Sequence, residues 1–195
     1  STFQDLEWIH AQGLLKTLAD IWRPVTCIGN NMGITRRAYE AVGGYETIPF
    51  SLTEDHALFV AAHKAGFRLK QLYDSSALAE GNHVPLLFPY LQQRKRWMTG
   101  AIKLPLAVQA LLGLQSLFLI LVVLVAFFSF KTALLALGIR IVVRMVLFNQ
   151  LFKAVGRFKP IMHAIWFEVV SGVMNVLVLI NFIVPTKVRW KGRTY

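Results

Sequence analysis

Acidic side chains all but vanish from this sequence after residue 80, where Glu168 alone stands against fourteen Lys and Arg. The first 80 residues hold the other nine acids and seven bases, a net of −2, so the overall +11 arises entirely from the second part, which carries +13. That split excludes a second half laced with surface salt bridges. A basic protein binds nucleic acid, anionic lipid or a phosphorylated substrate. Nucleic acid is the weaker choice, because most of these bases flank long apolar runs, where anionic headgroups and the positive-inside rule place Lys and Arg.

Cysteine is nearly as scarce. Cys27, standing alone, excludes an internal disulfide and a Cys-rich zinc site and fits a reducing compartment. His10, His56, His63, His83 and His163 fall at no metal-ligand spacing, and His56 and His63, seven apart on one helical face, more often pack than ligate. No metal is assigned to these histidines. There is no internal repeat or low-complexity tract. No n-region or apolar h-region opens the chain, so no signal peptide is visible, and Ser1 is expected to be a cut end.

What abounds is apolar residues, 55% of the chain, with a mean hydropathy of +0.51, too high for a protein facing water all round. Leu104 to Phe130 runs 27 residues without a charge. A membrane span needs about 20 predominantly apolar residues, so this stretch is expected to cross. Residues 132–152 are apolar apart from Arg140 and Arg144, which share a helical face. Charges at bilayer depth cost at least about 2.5 kcal/mol each, so that face is expected to meet protein or an interface. Residues 161–185 form a third candidate, with only Glu168 charged. Three full spans would put the basic tail (Lys187, Arg189, Lys191, Arg193) opposite the Arg94 cluster, against the positive-inside expectation. Either the Arg140/Arg144 segment lies in the interface or the rule is broken here, and the first is favoured.

Residues 1–84 read as mixed α/β, residues 85–103 as an amphipathic interface helix, and residues 104–195 as the membrane region with its basic tail. Phe3, Leu6, Ile9, Leu14, Leu15, Leu18 and Trp22 lie on one helical stripe that breaks at Arg23-Pro24. Val25–Ile28 reads as a strand emptying into the turn-forming Gly29-Asn30-Asn31. Thr35 caps a short helix stopped by Gly43-Gly44. Ser51-Leu52-Thr53-Glu54 matches a capping box for a helix ending at Gly66, Phe67–Tyr73 reads as a strand, and Pro85 opens the next helix.

Two clusters carry candidate chemistry. Glu54 and Asp55 fall in the first turn of a helix, whose partial positive charge and free N–H groups favour ionised carboxylates. A carboxylate so held can take a proton from a hydroxyl; equally, Glu54 can close the capping box while Asp55 complements the dipole. Gln93, Arg96 and Trp97, at i, i+3 and i+4, share a helix face. Arg can grip a diphosphate, Gln can orient an oxygen and Trp can stack on a ring. The bland alternative puts Arg94, Lys95 and Arg96 on headgroups and Trp97 in an aromatic belt. Gly29-Asn30-Asn31-Met32-Gly33 brings backbone amides near a ligand or is a plain turn.

Taken in order, these stretches resemble the family 2 glycosyltransferases, the group holding cellulose, chitin and hyaluronan synthases and ceramide glucosyltransferase. Thr53-Glu54-Asp55 resembles the T-E-D motif and Gln93-Arg94-Lys95-Arg96-Trp97 the Q-x-x-R-W motif. Thr26 to Asn31, with Arg36-Arg37-Ala38 and Gly43-Gly44, is similar to the segment beside the donor sugar, and Trp190-Lys191-Gly192-Arg193 to the tail after the last membrane segment. The resemblance implies an α/β fold, the C-terminal half of a GT-A nucleotide-sugar transferase domain, followed by an interfacial helix and transmembrane helices. It implies an inverting transferase with Asp55 as general base, Gln93, Arg96 and Trp97 at the donor diphosphate, and Cys27, Gly29, Asn30, Asn31 and Glu54 around the sugar and acceptor. The expected partners are a UDP-sugar, a lipid or glycan acceptor and the membrane. The expected location is a bacterial inner membrane, with the catalytic part in the cytosol.

The family's D-x-D is missing: Asp5, Asp20, Asp55 and Asp74 stand apart. The divalent cation (Mg or Mn) expected in the full-length enzyme therefore finds its ligands mostly outside this chain, and the chain alone is expected to be inactive. A lipid or lipid-linked acceptor is favoured over a processive polysaccharide synthase, which needs more spans. A non-enzymatic membrane scaffold or subunit is the remaining alternative.

Overall fold

The computed structural model describes residues 2–157, 162–190 and 192–195; Ser1, Ile161 and Lys191, which the sequence reading uses, lie outside the described residues. Eight α-helices carry the fold among the described residues. These are α1 (Thr2–Ile21), α2 (Arg36–Ala41), α3 (Gly44–Thr47), α4 (Glu54–Lys64), α5 (Leu87–Ala101), α6 (Leu106–Phe128), α7 (Phe130–Ala154) and α8 (Met162–Ile183). Short 3-10 turns occupy Gly29–Asn31 and Ser75–Ala77, and β1 (Arg189–Trp190) pairs antiparallel with β2 (Arg193–Thr194).

The α/β expectation is overturned. The terminal hairpin is the sole sheet among the described residues, and Val25–Ile28 and Phe67–Tyr73 form no strand. β-branched and aromatic residues suit a strand only where a neighbour takes up the ladder hydrogen bonds. Neither segment finds one among the described residues, and both run between helices without a ladder. The helix signals fare better. Thr35 caps α2, its Oγ1 accepting from the Ala38 N–H. The capping box fails: α4 begins at Glu54 rather than at the expected Leu52, and the Ser51 hydroxyl accepts from the Thr53 N–H instead. Gly66 ends α4 in the left-handed region, at φ 82°.

Three helices, α6, α7 and α8, are long and apolar enough to cross a membrane. Ser129 alone separates α6 from α7; it sits extended, and its hydroxyl accepts from the Thr132 N–H to open α7. The arginine face of α7 meets protein. Arg140 Nε donates to Glu168 at 2.5 Å and Arg144 Nε donates to the other carboxylate oxygen at 3.0 Å. Arg140 also lies over the Phe118 ring at 4.0 Å. The lone acid of the second half thus sits between two guanidinium groups, buried with Arg144.

The principal core joins this bundle to the chain's beginning. Phe3 and Leu6 of α1, Tyr90 of α5, Phe148, Leu151 and Phe152 of α7, and Ala164 and Phe167 of α8 pack as one cluster. His10 enters its edge against Phe148 and Phe167. A second cluster of Val25, Leu104 and Val108 joins the end of α1 to the start of α6.

Removing one partner from a buried ion pair costs about 3–5 kcal/mol. Glu168→Gln is therefore expected to lower the unfolding midpoint in detergent sharply, and an unchanged midpoint would refute the role given to this triad. A second expectation concerns pH. Burial, then Arg144 and Arg140, push His10 down to about 3. With its folded value below its unfolded one, its contribution is full above about pH 6.5 and is lost as pH falls towards 3. Melts of His10→Phe at pH 7 and pH 5 should differ less than those of wild type, whereas equal differences would remove His10 from the account.

Candidate active site

The first turn of α4 gathers the candidate chemistry. Asp55 Oδ2 accepts from the Gly29 N–H at 2.8 Å, and Oδ1 accepts from the His56 N–H at 2.8 Å. The second bond uses one of the free N–H groups of a helix start, so the carboxylate is fixed by the helix end and by the 3-10 turn opposite. Glycine lets that turn approach closely: a Cβ at position 29 would lie 3.0 Å from Asp55 Cβ and 3.1 Å from its Oδ2, so the carboxylate would have to give way by a few tenths of an ångström.

Cys27 lies beside this pair. Its thiol donates to the Asp55 carbonyl at 3.2 Å and contacts Met32 Sδ at 3.4 Å. Burial first, and then the Asp55 charge, push Cys27 up to about 12, which makes it a packed thiol and no nucleophile. Thr26 Oγ1 stands 2.9 Å from His56 Nδ1, joining the same two segments one residue further along each. Burial also holds His56 below its usual range, with Lys103 adding to the effect. The phenol of Tyr45 is raised by burial and by the neighbouring Glu54 and Asp55 carboxylates.

From the other side comes α5. Arg96 Nη1 donates to the Leu52 carbonyl at 2.7 Å and stands 3.9 Å from Glu54 Oε2. The approach is close because residue 100 is glycine; a Cβ there would meet Thr53 Cγ2 at 2.9 Å. Cys27, Gly29, Glu54, Asp55 and Arg96 are therefore brought together. Asn30 is exposed on the turn, while Asn31 is turned away, its amide donating to the Ala77 carbonyl at 2.6 Å.

Gln93 and Trp97 face α1 rather than Asp55. Gln93 Oε1 accepts from Arg94 Nη1 at 2.7 Å, and Trp97 meets the Trp8 ring edge-on at 4.9 Å beneath the Arg94 guanidinium at 4.0 Å. Nor do Arg94 and Lys95 lie on headgroups, since both are buried. Arg94 pairs with Glu7, which also accepts from the Tyr90 hydroxyl. Lys95 Nζ donates to the Asn181 and Val184 carbonyls and to Thr186 Oγ1, all at 2.8–2.9 Å. Those carbonyls are at the end of α8, where the free acceptors and negative partial charge of a helix terminus attract a cation.

Glu7, Trp8 and Gly100 were not singled out from sequence. Glu7 is the one signal that could have been found, an acid on the stripe-bearing first helix with a row of three cations downstream. Among the described residues no three His, Cys, Asp or Glu side chains converge as a metal site.

A family model described as "Glycosyl transferase family group 2" matches residues 10–183. No curated protein and no solved structure matches the chain.

The shielded thiol is directly measurable. At pH 8.5 iodoacetamide should alkylate Cys27 at least about 100-fold more slowly in the folded protein than in the urea-unfolded chain, because the thiolate is the reactive form. Equal rates by mass spectrometry would mean that the thiol is neither buried nor held beside Asp55.

Proposed function

The chain belongs to glycosyl transferase family group 2, and from that premise we propose that it serves an inverting transfer of a sugar from a UDP-sugar to a lipid or lipid-linked acceptor at a membrane. The observation that carries this reading is the fixing of Asp55 at the start of α4 by the Gly29 amide, with Arg96 approaching from α5. Three helices fit to cross a bilayer follow directly on that arrangement.

In the proposed step Asp55 takes the proton of an acceptor hydroxyl. The freed oxygen attacks the anomeric carbon from the face opposite the nucleotide. The bond from that carbon to the diphosphate oxygen breaks, its electron pair leaves with the diphosphate, and the configuration inverts. Arg96, a fixed cation at the edge of the carboxylate pair, stabilises the charge that develops on the departing group. Glu54, Gly29 and Cys27 line the sugar side. Trp97, packed between the Arg94 guanidinium and Trp8, contributes to this reading by holding α5 against α1 and not by stacking on a sugar.

A divalent cation is expected at the diphosphate in this family. The described residues do not fit it, since no three ligating side chains meet, and no step here is routed through one.

A lipid acceptor is favoured by apolar residues exposed at both ends of α5, the helix that carries Arg96. Leu86, Leu87 and Phe88 at the start of α5, and Ile102 and Leu106 where α5 gives way to α6, are all exposed. An acceptor dissolved in the bilayer reaches the site along such residues, as lipid-modifying members of the family require. The basic flanks of the apolar helices favour a cytosolic position for the site.

Removing a positioned base costs about 100- to 10,000-fold. In the full-length enzyme Asp55→Asn should abolish transfer of label from a panel of UDP-hexoses into membrane lipid while leaving UDP-sugar affinity nearly unchanged. Wild-type turnover in Asp55→Asn would falsify the assignment, and a ladder of products in place of a single lipid adduct would replace the lipid reading with polymer synthesis.

A further inference from the structure

The C-terminal hairpin is held against the loop that precedes Asp55. Val188 and Tyr195 exchange two backbone hydrogen bonds, Val188 N to Tyr195 O at 3.0 Å and Tyr195 N to Val188 O at 2.9 Å, which extend the β1–β2 ladder and fix the last residue in register. Val188 is buried, and β1 lies against α5. The root of the hairpin is pinned as well, since Thr186 and the carbonyls ending α8 all accept from Lys95. At the same open end of the hairpin the Tyr195 ring lies on the Phe50 ring, centroids 5.5 Å apart and planes 20° from parallel.

Phe50 opens the segment Phe50–Asp55. The next residues are already tied: Ser51 Oγ to the Thr53 N–H and Leu52 O to Arg96 Nη1. Glu54 and Asp55 follow at once. Apart from its stacking partner, Phe50 is exposed and sits in no core. The loop is thus held from two directions, by Arg96 from α5 and by the last residue of the tail.

We propose that the hairpin Val188–Tyr195 is a positioning element of the active site, with Tyr195 bracing Phe50 and so fixing the loop that presents Glu54 and Asp55. The role of Asp55 rests on the function proposed above; the bracing does not. A brace of this kind acts on rate more than on affinity, because a base displaced by about an ångström loses its geometry while the donor keeps its contacts. It also places the tail on the side of the membrane that carries Asp55.

The test uses the full-length protein in membranes and compares Tyr195→Ala, Tyr195→Phe and wild type by two readouts. The first is alkylation of Cys27 by iodoacetamide, which needs no activity and reports the packing of the thiol on the Asp55 carbonyl. The second is transfer of label from UDP-hexoses into lipid, resolved into kcat and KM. Tyr195→Ala should raise the alkylation rate about tenfold and lower kcat about tenfold, with KM within about twofold, and Tyr195→Phe should restore both. Unchanged alkylation in Tyr195→Ala overturns the bracing. Raised alkylation with unchanged kcat overturns the positioning role. Raised alkylation with a fully active Asp55→Asn enzyme leaves the brace standing and removes the assignment of the base instead.

Discussion

Three consecutive cations on α5 hold the architecture together, each tied to a different part of the chain. Arg94 joins Glu7 of α1, Lys95 gathers the oxygens at the end of α8, and Arg96 grips the loop before α4. Successive residues on a helix point about 100° apart, so a run of cations cannot line one surface. Here the run is spread among three neighbours that approach α5 from different sides. Burying Arg94 and Lys95 is tolerable because each has several acceptors, and buried charges persist only when they are paired and hydrogen-bonded. The helix is better described as a hub than as an amphipathic plate on a membrane.

That hub explains what could be read from sequence and what could not. Local signals were legible. The break at Arg23-Pro24, the Thr35 cap, the glycine stop at Gly66 and the apolar spans depend on residues within a turn or two of one another. The two expected strands failed because a strand is completed by a distant neighbour, and Val25–Ile28 has none among the described residues. The capping box failed for a local reason: Ser51 found a nearer N–H at Thr53, and the helix started later. In the site, the sequence singled out Asp55, Gly29 and Arg96. It offered no way to see that Trp97 leans on Trp8, or that Gly100 exists to let Thr53 in.

The membrane half obeys the same rule of paired charge. Glu168 is the single acid there, and both arginines of α7 turn to it. Two guanidinium groups and one carboxylate leave one positive charge in excess, offset in part by the faces of Phe118 and Phe167, which lie 4.0 and 5.3 Å from Arg140 and Arg144. The positive-inside rule stood against three complete crossings between the Arg94 cluster and the basic tail. Lys95, by holding the end of α8 to the helix from which α6 departs, points the same way.

The geometry at Asp55 limits how a base can work there. Each carboxylate oxygen already accepts one backbone N–H, from Gly29 and from His56. A carboxylate has acceptor sites beyond these two, so a further donor can still be received. What the surroundings fix is the orientation of these oxygens. On the proposed reading the Gly29 turn, the Arg96 anchor and the loop from Phe50 are the features on which the chemistry would depend, and a substitution that only loosens them is expected to act on turnover before it acts on binding.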